Sequence, residues 1–250
     1  MITVVLPTHN ERHTAGVLVW RLREVFADLG RDFRIVALDD ASDDGTWDVL
    51  EPYQRVLPLT LLRNETRQGY ARTLEQLIRT VLEDTKYPKR DGLLVMQADF
   101  TDDPSCIPDL MRRYQGGADL VASRRVEFRG APRSIRVARL GAGLLARPAN
   151  VPEGISDPWA GFRLYRIVAL RRAAAALGQG EPLMSEDGWG ANLELLLRVA
   201  PHLRRWDEIE VPVDLSRRYR DSRFRALPEL AAMVRAGRRA RRWPGSEVAA

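Results

Sequence analysis

The chain has 250 residues, 45% of them apolar, which is enough to bury the core of one large α/β domain. Its net charge of +5 favours anionic partners in general, namely nucleotide phosphates, lipid phosphates, a membrane surface or nucleic acid, and does not choose among them. Cys106 is the single cysteine, so an intrachain disulfide and a cysteine zinc cluster are excluded. We find no secretion signal and no apolar run near the roughly 18 residues that cross a bilayer, and we therefore expect a cytoplasmic protein.

Short β-branched runs alternate with longer segments of helical period from the start of the chain. We predict strands at Ile2–Leu6, Phe33–Leu38, Leu59–Leu62, Leu93–Gln97 and Asp119–Ser123, separated by helices at Thr14–Leu29, Thr46–Tyr53, Tyr70–Glu83 and Ser105–Tyr114. Further predictions are helices at Ile167–Leu177 and Trp189–Val199, a strand at Trp206–Pro212 and a basic helix at Leu227–Arg241. This order is typical of an α/β protein with a mostly parallel sheet and helices on both faces.

A stretch rich in Gly, Pro and Arg, from Arg124 to Pro158, interrupts this pattern, with one helix predicted around Val137–Leu145. Loops of this length are uncommon unless they are functional. We divide the chain into a single domain at residues 1–225 and a basic C-terminal helix and tail at residues 226–250.

Polar residues follow the predicted strands where an open α/β sheet binds its ligand, outside the carboxyl ends. They are Pro7 to Glu11 after the first strand, Asp39 to Thr46 after the second, Gln97-Ala98-Asp99 after the fourth and Arg124-Arg125 after the fifth. The first turn contains neither a Gly-x-Gly-x-x-Gly fingerprint nor a P-loop. Dinucleotide and P-loop nucleotide sites are therefore not predicted.

Six groups of residues follow one another along the chain. They are Leu6–Glu11, Asp39–Thr46, Asn64 with Gln68-Gly69, Gln97-Ala98-Asp99 with Asp102-Asp103-Pro104, Asp157 with Gly161-Phe162-Arg163, and Glu194-Leu195-Leu196. In this order they resemble the family-two inverting glycosyltransferases of GT-A fold, and within them the dolichol- or polyprenyl-phosphate sugar synthases. The resemblance covers residues 1–225 and implies a Rossmann-like sheet and sugar transfer from a nucleoside-diphosphate sugar.

The resemblance places the nucleotide at the first, second and fourth strand ends. The implied nucleotide-binding residues are Pro7, His9, Asn10, Glu11, Asp39, Asp40, Gln97 and Ala98. Either Asp39 or Asp40 would hold the nucleoside. The stretch after the first strand also fits a plain helix entry, with Asn10 or Thr14 as N-cap.

Asp99 is the implied ligand of Mg²⁺ or Mn²⁺. An octahedral ion on a diphosphate needs only one or two protein carboxylates, because phosphate oxygens and water fill the other positions. Gln97 stands where the family usually has a first Asp, which should weaken metal binding. Asp102 and Asp103 add charge nearby, but a helix start with Asp103 as N-cap before Pro104 explains them as well.

Basic and aromatic residues provide the predicted acceptor and leaving-group contacts. Arg124 matches the family's Ser-Arg pair, and Arg217 and Ser222 match an Arg-x-x-Gly-x-Ser-Lys motif in which Arg220 replaces Gly. Arg139 is the nearest equivalent of a further arginine in the polyprenyl-phosphate branch. Trp159 and Trp189 are candidates for stacking on the sugar or acceptor, with core packing as the alternative.

The resemblance implies that Asp187, in the acidic pair Glu186-Asp187, is the general base. Transfer to a hydroxyl or amine needs such a base, whereas transfer to a phosphate does not. The alternative for the acidic pair Glu186-Asp187 is a helix start capped by Ser185. We therefore carry two acceptors: polyprenyl phosphate, with the basic terminal helix peripheral at the inner face of the membrane, and a soluble small molecule. A non-catalytic nucleotide-binding protein is the third hypothesis, and no nucleic-acid partner is predicted.

Overall fold

The computed structural model describes residues 1–129, 151–214 and 226–240. The strands are β1 (Ile2–Thr8), β2 (Phe33–Asp40), β3 (Leu59–Asn64), β4 (Gly92–Val95), β5 (Leu120–Arg129), β6 (Arg163–Arg166) and β7 (Trp206–Asp214). The helices are α1 (Ala15–Asp28), α2 (Thr46–Leu50), α3 (Tyr70–Asp84), α4 (Ile107–Gln115), α5 (Ile167–Ala175), α6 (Gly188–Val199) and α7 (Ala226–Ala240). The predicted helix at Val137–Leu145 lies outside the described residues.

The strands form one mixed sheet in the order β3-β2-β1-β4-β6-β5-β7. β6 runs antiparallel to both of its neighbours, β4 and β5, while the other pairings are parallel. The predicted α/β fold with a mostly parallel sheet is confirmed. β6 was not predicted, and it lies in the middle of the sheet, where Leu164 pairs with both Leu94 and Val121.

Helices cover both faces of the sheet because the strands present apolar side chains on both sides. One core cluster joins α1 and α4 to the sheet through residues such as Leu18 and Leu110. The other joins α3, α5 and α6, and α3 contributes Leu74, Leu77 and Ile78, whose spacing puts them on one helix face. Both clusters share a single sheet, so these elements form a single α/β domain.

The strand order creates a crevice at the carboxyl ends of β1 and β4. The chain moves outward from β1 to β2 and β3, and then crosses back so that β4 lies on the other side of β1. Such a switch point is where open α/β sheets bind their ligands. The turns after β1, β2 and β4 all open at this edge.

Helix α7 packs on α6. Met233 and Ala236 are buried against Leu193 and Leu197, with Trp159 in the same apolar cluster. The described part of the basic C-terminal segment therefore lies on the sheet domain. In the described residues, no helix is long and apolar enough to cross a membrane.

Candidate active site

The turns after β1 and β2 are tied together by side chains. Asn10 has a positive φ of 55°, and its backbone N–H donates to the Ser42 hydroxyl at 2.8 Å. Its amide group forms a reciprocal pair with Asp43, donating to a carboxylate oxygen at 2.7 Å and accepting from the backbone N–H at 3.1 Å. Asn10 is therefore a structural bridge as well as a candidate nucleotide contact.

Residues next to Asn10 continue this bridge. The Glu11 N–H donates to the Thr46 hydroxyl at 2.8 Å, and the Arg12 N–H donates to Asp44 at 3.1 Å. Burial raises the pKa of Asp44, but bonds from Thr46 and Arg12 outweigh it, so its pKa lies below the usual value of 3.8. Pro7 belongs to β1 itself, and His9 is half-buried beyond it.

Adjacent aspartates at the end of β2 have different surroundings. Asp40 accepts from the Asn64 amide and the Gln68 N–H, both at 2.8 Å, and from the Gly69 N–H at 2.9 Å. It thereby holds the loop that leads into α3. Asp39 accepts from the Ser42 N–H at 3.1 Å, and its other oxygen receives no hydrogen bond from any described residue.

Asp39 therefore has one carboxylate oxygen without a hydrogen bond from the described residues, and that oxygen is buried, since the whole residue is 0% exposed. The nearest cation to that oxygen is Arg63, whose Nε lies 3.5 Å away. An open pocket of about 390 Å³ lies at this end of β2 and β3, lined by Ala41, Ser42, Arg63, Asn64 and Glu65. The Arg63 guanidinium also lies 5.4 Å from the centre of the Trp47 ring. Both oxygens of Asp40 accept hydrogen bonds, whereas only one oxygen of Asp39 does.

The turn after β4 brings two buried carboxylates together. Asp99 is 6% exposed and accepts from the Thr101 N–H at 3.0 Å, while Asp102 is 4% exposed and accepts from the Gln97 N–H at 3.0 Å. Phe100 between them has a positive φ of 59°, and Ala98 is buried. Each carboxylate is thus oriented by the backbone of the same turn.

These carboxylates fit a divalent ion that is completed by a diphosphate. Among the described residues, there is no group of three or more acidic, His or Cys side chains that could hold an ion alone. Asp99 and Asp102 match the one or two carboxylates that magnesium and manganese need next to phosphate oxygens. Asp103 has another role, since it caps the following turn through the Ser105 N–H at 2.8 Å with Pro104 at the first position, as predicted.

Arg124 and Arg125 lie in the middle of β5, which extends beyond the predicted end at Ser123, and they have different carboxylate partners. Arg124 pairs with Glu210 of β7 and lies 3.9 Å from Glu208. Arg125 is 9% exposed and donates two hydrogen bonds to the Asp157 carboxylate, from Nε at 3.0 Å and from Nη2 at 3.2 Å. Burial lowers the pKa of Arg125, but the charge of Asp157 outweighs this and the pKa is raised. The charge of Asp102 acts in the same direction.

The contact between Arg125 and Asp157 was not predicted from the sequence. β5 is buried on both faces, because Leu120, Val121 and Ala122 are all 0% exposed. A strand of this kind gives no alternation from which to tell which of two adjacent arginines points to the site.

Trp159 and Trp189 also differ. Trp159 is 5% exposed and belongs to the apolar cluster under α7, so core packing accounts for it. Trp189 is half-buried at the start of α6, with its ring 5.1 Å from the Arg125 guanidinium. Of the two, Trp189 is the aromatic ring beside the site.

Asn192 of α6 connects the segment before β6 with α3. Its amide accepts from the Tyr70 hydroxyl at 2.8 Å and donates to the Trp159 carbonyl at 3.1 Å. Burial, with the nearby charge of Asp102, raises the pKa of Tyr70. Arg163, 1% exposed, donates to the carbonyls of Asn192 and Pro158, each at 2.6 Å. These bonds fix the segment that carries Asp157.

Asp187 is exposed and lies at the amino end of two helices. It is the N-cap residue of α6, and its carboxylate accepts from the Ala71 N–H of α3 at 2.9 Å. The prediction that Ser185 caps this helix is wrong. Asp187 also lies against Gly69, the residue held by Asp40, so the acidic pair borders the nucleotide side of the site.

Arg139, Arg217 and Ser222 lie outside the described residues.

Residues 3–173 match the sequence pattern of Glycosyl transferase family 2. The chain belongs to this family. Among curated proteins, the family 2 chain is 28% identical over 171 residues to the dolichol-phosphate mannosyltransferase of Pyrococcus furiosus, covering 66% of this chain and 46% of that protein. It is 26% identical over 170 residues to the undecaprenyl-phosphate 4-deoxy-4-formamido-L-arabinose transferase of Edwardsiella ictaluri, covering 66% and 49%. The chain thus spans about half the length of the curated relatives it matches.

Solved structures share the fold. The glucosyl-3-phosphoglycerate synthase of Mycobacterium tuberculosis, in complex with Mn²⁺, UDP and phosphoglyceric acid, superposes with a TM-score of 0.62 at 23% identity, covering 94% of this chain and 75% of that one. S. aureus TarS 1–349 in complex with UDP-GlcNAc gives a TM-score of 0.54 at 14% identity, covering 88% and 59%. At these identities the likeness shows the fold alone.

Proposed function

We propose that this family 2 chain transfers a sugar from a nucleoside-diphosphate sugar to an acceptor, with inversion at the anomeric carbon. The observation that carries the proposal is the placement of Asp39 at the end of β2 and of Asp99 in the turn after β4, on the two sides of β1 at the switch point, with the buried Arg125 of β5 bound to Asp157. A base-binding acceptor oxygen, a metal-binding carboxylate and a buried cation are the groups that a nucleoside-diphosphate sugar needs.

The donor lies with its nucleoside in the pocket beside Ser42 and Arg63. The Asp39 carboxylate accepts from a ring N–H of the base, and the turns after β1 and β2 form the adjacent wall. The diphosphate lies over the turn at Asp99 and Asp102, which would hold a Mg²⁺ or Mn²⁺ ion. Held by these carboxylates, such an ion would supply Lewis-acid stabilisation of the charge on the departing diphosphate.

The reaction is a single displacement. An acceptor oxygen attacks the anomeric carbon from the face opposite the diphosphate, the new C–O bond forms, and the bond to the diphosphate oxygen breaks with its electron pair. Arg125 is held by Asp157, so its positive charge is fixed before substrate arrives. Such fixed charge costs no reorganisation during the reaction.

Polyprenyl phosphate is the first acceptor candidate. The curated relatives are named as transferases that act on dolichol phosphate and undecaprenyl phosphate. A phosphate oxygen is already an anion near neutral pH, so its attack needs no general base. Arg139, Arg217 and Ser222 are the predicted acceptor ligands, and Arg124 joins them if it exchanges Glu210 for the phosphate. A basic C-terminal helix would place the chain at an anionic membrane surface.

A hydroxyl of a soluble small molecule is the second candidate, and Asp187 is the observation that favours it. This carboxylate is exposed, borders Gly69, and is oriented by the Ala71 N–H. It would accept the hydroxyl proton while the oxygen attacks the sugar. In this case the proton ends on Asp187 and leaves to solvent after the product departs.

The two acceptors are separated by one labelled-sugar assay. Purified chain, Mn²⁺ and labelled UDP-, GDP- and TDP-sugars are incubated with polyprenyl phosphate or with a panel of soluble hydroxyl compounds. Asp187→Asn keeps an oxygen that accepts from Ala71 but removes the base, and Asp48→Asn, an exposed aspartate on α2, is the control.

We expect transfer to polyprenyl phosphate that is unchanged in Asp187→Asn. Transfer to a hydroxyl compound that is lost in Asp187→Asn alone assigns the second function. Nucleotide binding without transfer to any acceptor refutes both, and leaves the third hypothesis, a non-catalytic nucleotide-binding protein.

A further inference from the structure

Two arginines of α7 form ion pairs with acidic residues in and near the segment Ser185–Asp187. Arg235 donates from Nε to both oxygens of Glu186, at 3.1 and 3.0 Å, and its Nη2 lies 2.9 Å from the same carboxylate. Arg239 lies 3.3 Å from Glu186 and 3.1 Å from Glu194. The Glu186 side chain is 8% exposed and that of Glu194 is 0% exposed, so these arginines neutralise buried charge.

Glu194 connects these ion pairs to the backbone of the acidic segment. One of its oxygens pairs with Arg239, and the other accepts from the N–H groups of Ser185 and Glu186, the latter at 2.9 Å. A buried carboxylate that loses its partner is strongly destabilised, because its charge stays in a medium of low dielectric. Without Arg239, Glu194 would lose the cation that neutralises its charge, which would weaken its hold on both N–H groups.

Close packing fixes the helices at the same place. A Cβ added at Gly190 would lie 2.9 Å from the Glu186 Cβ and 3.3 Å from the carbonyl oxygen of Ala232. The backbone of α7 therefore approaches α6 where only glycine fits. Next to this contact, Met233 and Ala236 are buried, so α7 has one defined position over the acidic segment.

The acidic segment Ser185–Asp187 ends at the candidate site. Asp187 follows Glu186 directly, and its carboxylate reaches the Ala71 N–H and lies against Gly69. Gly69 is in turn held by Asp40 at the end of β2. A short chain of contacts therefore connects α7, through the acidic segment, with the start of α3 and the nucleotide side of the site.

We propose that Arg235 and Arg239 are positioning residues, which hold Ser185–Asp187 in the place where the acceptor meets the donor sugar. This inference rests on the proposed transferase function. It means that the face of α7 that carries Arg235 and Arg239 binds the protein's own acidic segment. Arg238 lies on the same helix and makes no ion pair with any described residue, so it provides a matched control.

The experiment compares full-length Arg235→Met, Arg239→Met and the double variant with Arg238→Met. Methionine keeps an apolar stem, so the loss is mainly one of charge and hydrogen bonds. Three quantities are measured: the KM and kcat for the acceptor, the Kd for nucleoside diphosphate with Mn²⁺, and amide hydrogen exchange across residues 185–190 and 70–74. Arg235→Lys and Arg239→Lys test whether positive charge alone restores function.

We expect the double variant to lose between about tenfold and a hundredfold in acceptor kcat/KM, since small displacements of reacting groups have effects of this size. Exchange should rise at Ser185, Glu186 and Ala71, the nucleotide Kd should stay within about twofold, and lysine should restore part of the activity. All three measurements use acceptor in detergent, without a membrane surface, so Arg238→Met should match the wild type in each of them.

Two results overturn the proposal: faster exchange with unchanged acceptor kinetics, or equal losses of acceptor and nucleotide binding, which mark a purely structural role. Failure of the proposed function looks different, because the wild type itself would then transfer no sugar. If the double variant does not fold, the single lysine variants carry the same comparison.

Discussion

Asp39 and Asp40 are adjacent, and substitution of each should have a different consequence. Asp40→Ala removes an acceptor that is 3% exposed and receives three hydrogen bonds, from Asn64, Gln68 and Gly69. The Asn64 amide can turn to water, but the two backbone N–H groups are fixed. At about 1.5 kcal/mol or more for each bond to a charged group, we expect the free energy of unfolding to fall by about 3 kcal/mol.

Asp39→Asn should leave the fold intact and weaken nucleotide binding. The amide oxygen still accepts from the Ser42 N–H, but the second position becomes a donor and can no longer accept from a base. We expect a change in unfolding free energy within about 1 kcal/mol, and a loss of about tenfold or more in affinity for whichever nucleoside diphosphate binds.

Urea unfolding and calorimetry with UDP, GDP and TDP measure both effects, with Asp48→Ala as the exposed control. At an m value of about 3 kcal/mol/M, Asp40→Ala should lower the urea midpoint by about 1 M. The assignment of the two aspartates is refuted if Asp40→Ala unfolds like the wild type, or if Asp39→Asn binds nucleotide with unchanged affinity.

Two further predictions concern the turns around the site. Gly69→Ala should destabilise the start of α3 by about 1–3 kcal/mol, because Gly69 has a φ of +89° and an added Cβ would lie 3.0 Å from Asp187. Gly30→Ala, with a φ of +56° and no atom within 4 Å, separates backbone strain from this contact, and equal losses in urea unfolding would contradict the prediction. The lowered pKa of Asp44 means that its ionised form adds stability above its usual value of 3.8, and that this stability is lost as pH falls through the lower pKa of the folded state. The difference in unfolding free energy between wild type and Asp44→Asn should therefore shrink from about pH 5 to about pH 3, and a constant difference would show that the charge does not contribute.

The sequence predicted the parallel strands well because each is an apolar run bounded by turn residues. β6 was not predicted because its four residues, Arg-Leu-Tyr-Arg, include two arginines and no β-branched side chain. It becomes a strand through tertiary pairing with β4 and β5, and Arg163 is tolerated there because two backbone carbonyls accept from it. Such context overrides local preference.

The strand ends predict which edge of the sheet carries the candidate site, but not what each residue there contacts. The positions of Asp39, Asp40 and Asp99 follow from the edge at which parallel strands end. Which of two adjacent aspartates is engaged by a distant loop depends on Gln68 and Gly69, and no local pattern contains that information. The same holds for Arg125, whose partner Asp157 is distant in sequence.

Asp99 is the residue on which the account depends most. Its carboxylate, beside that of Asp102, is the proposed anchor for a divalent ion on the diphosphate. The direct measurement is calorimetric titration of the nucleoside diphosphate that binds, with and without Mn²⁺, into wild type and Asp99→Ala. We predict that Mn²⁺ raises the affinity of the wild type by about tenfold or more and leaves that of Asp99→Ala nearly unchanged. An equal gain from Mn²⁺ in both proteins would contradict the account.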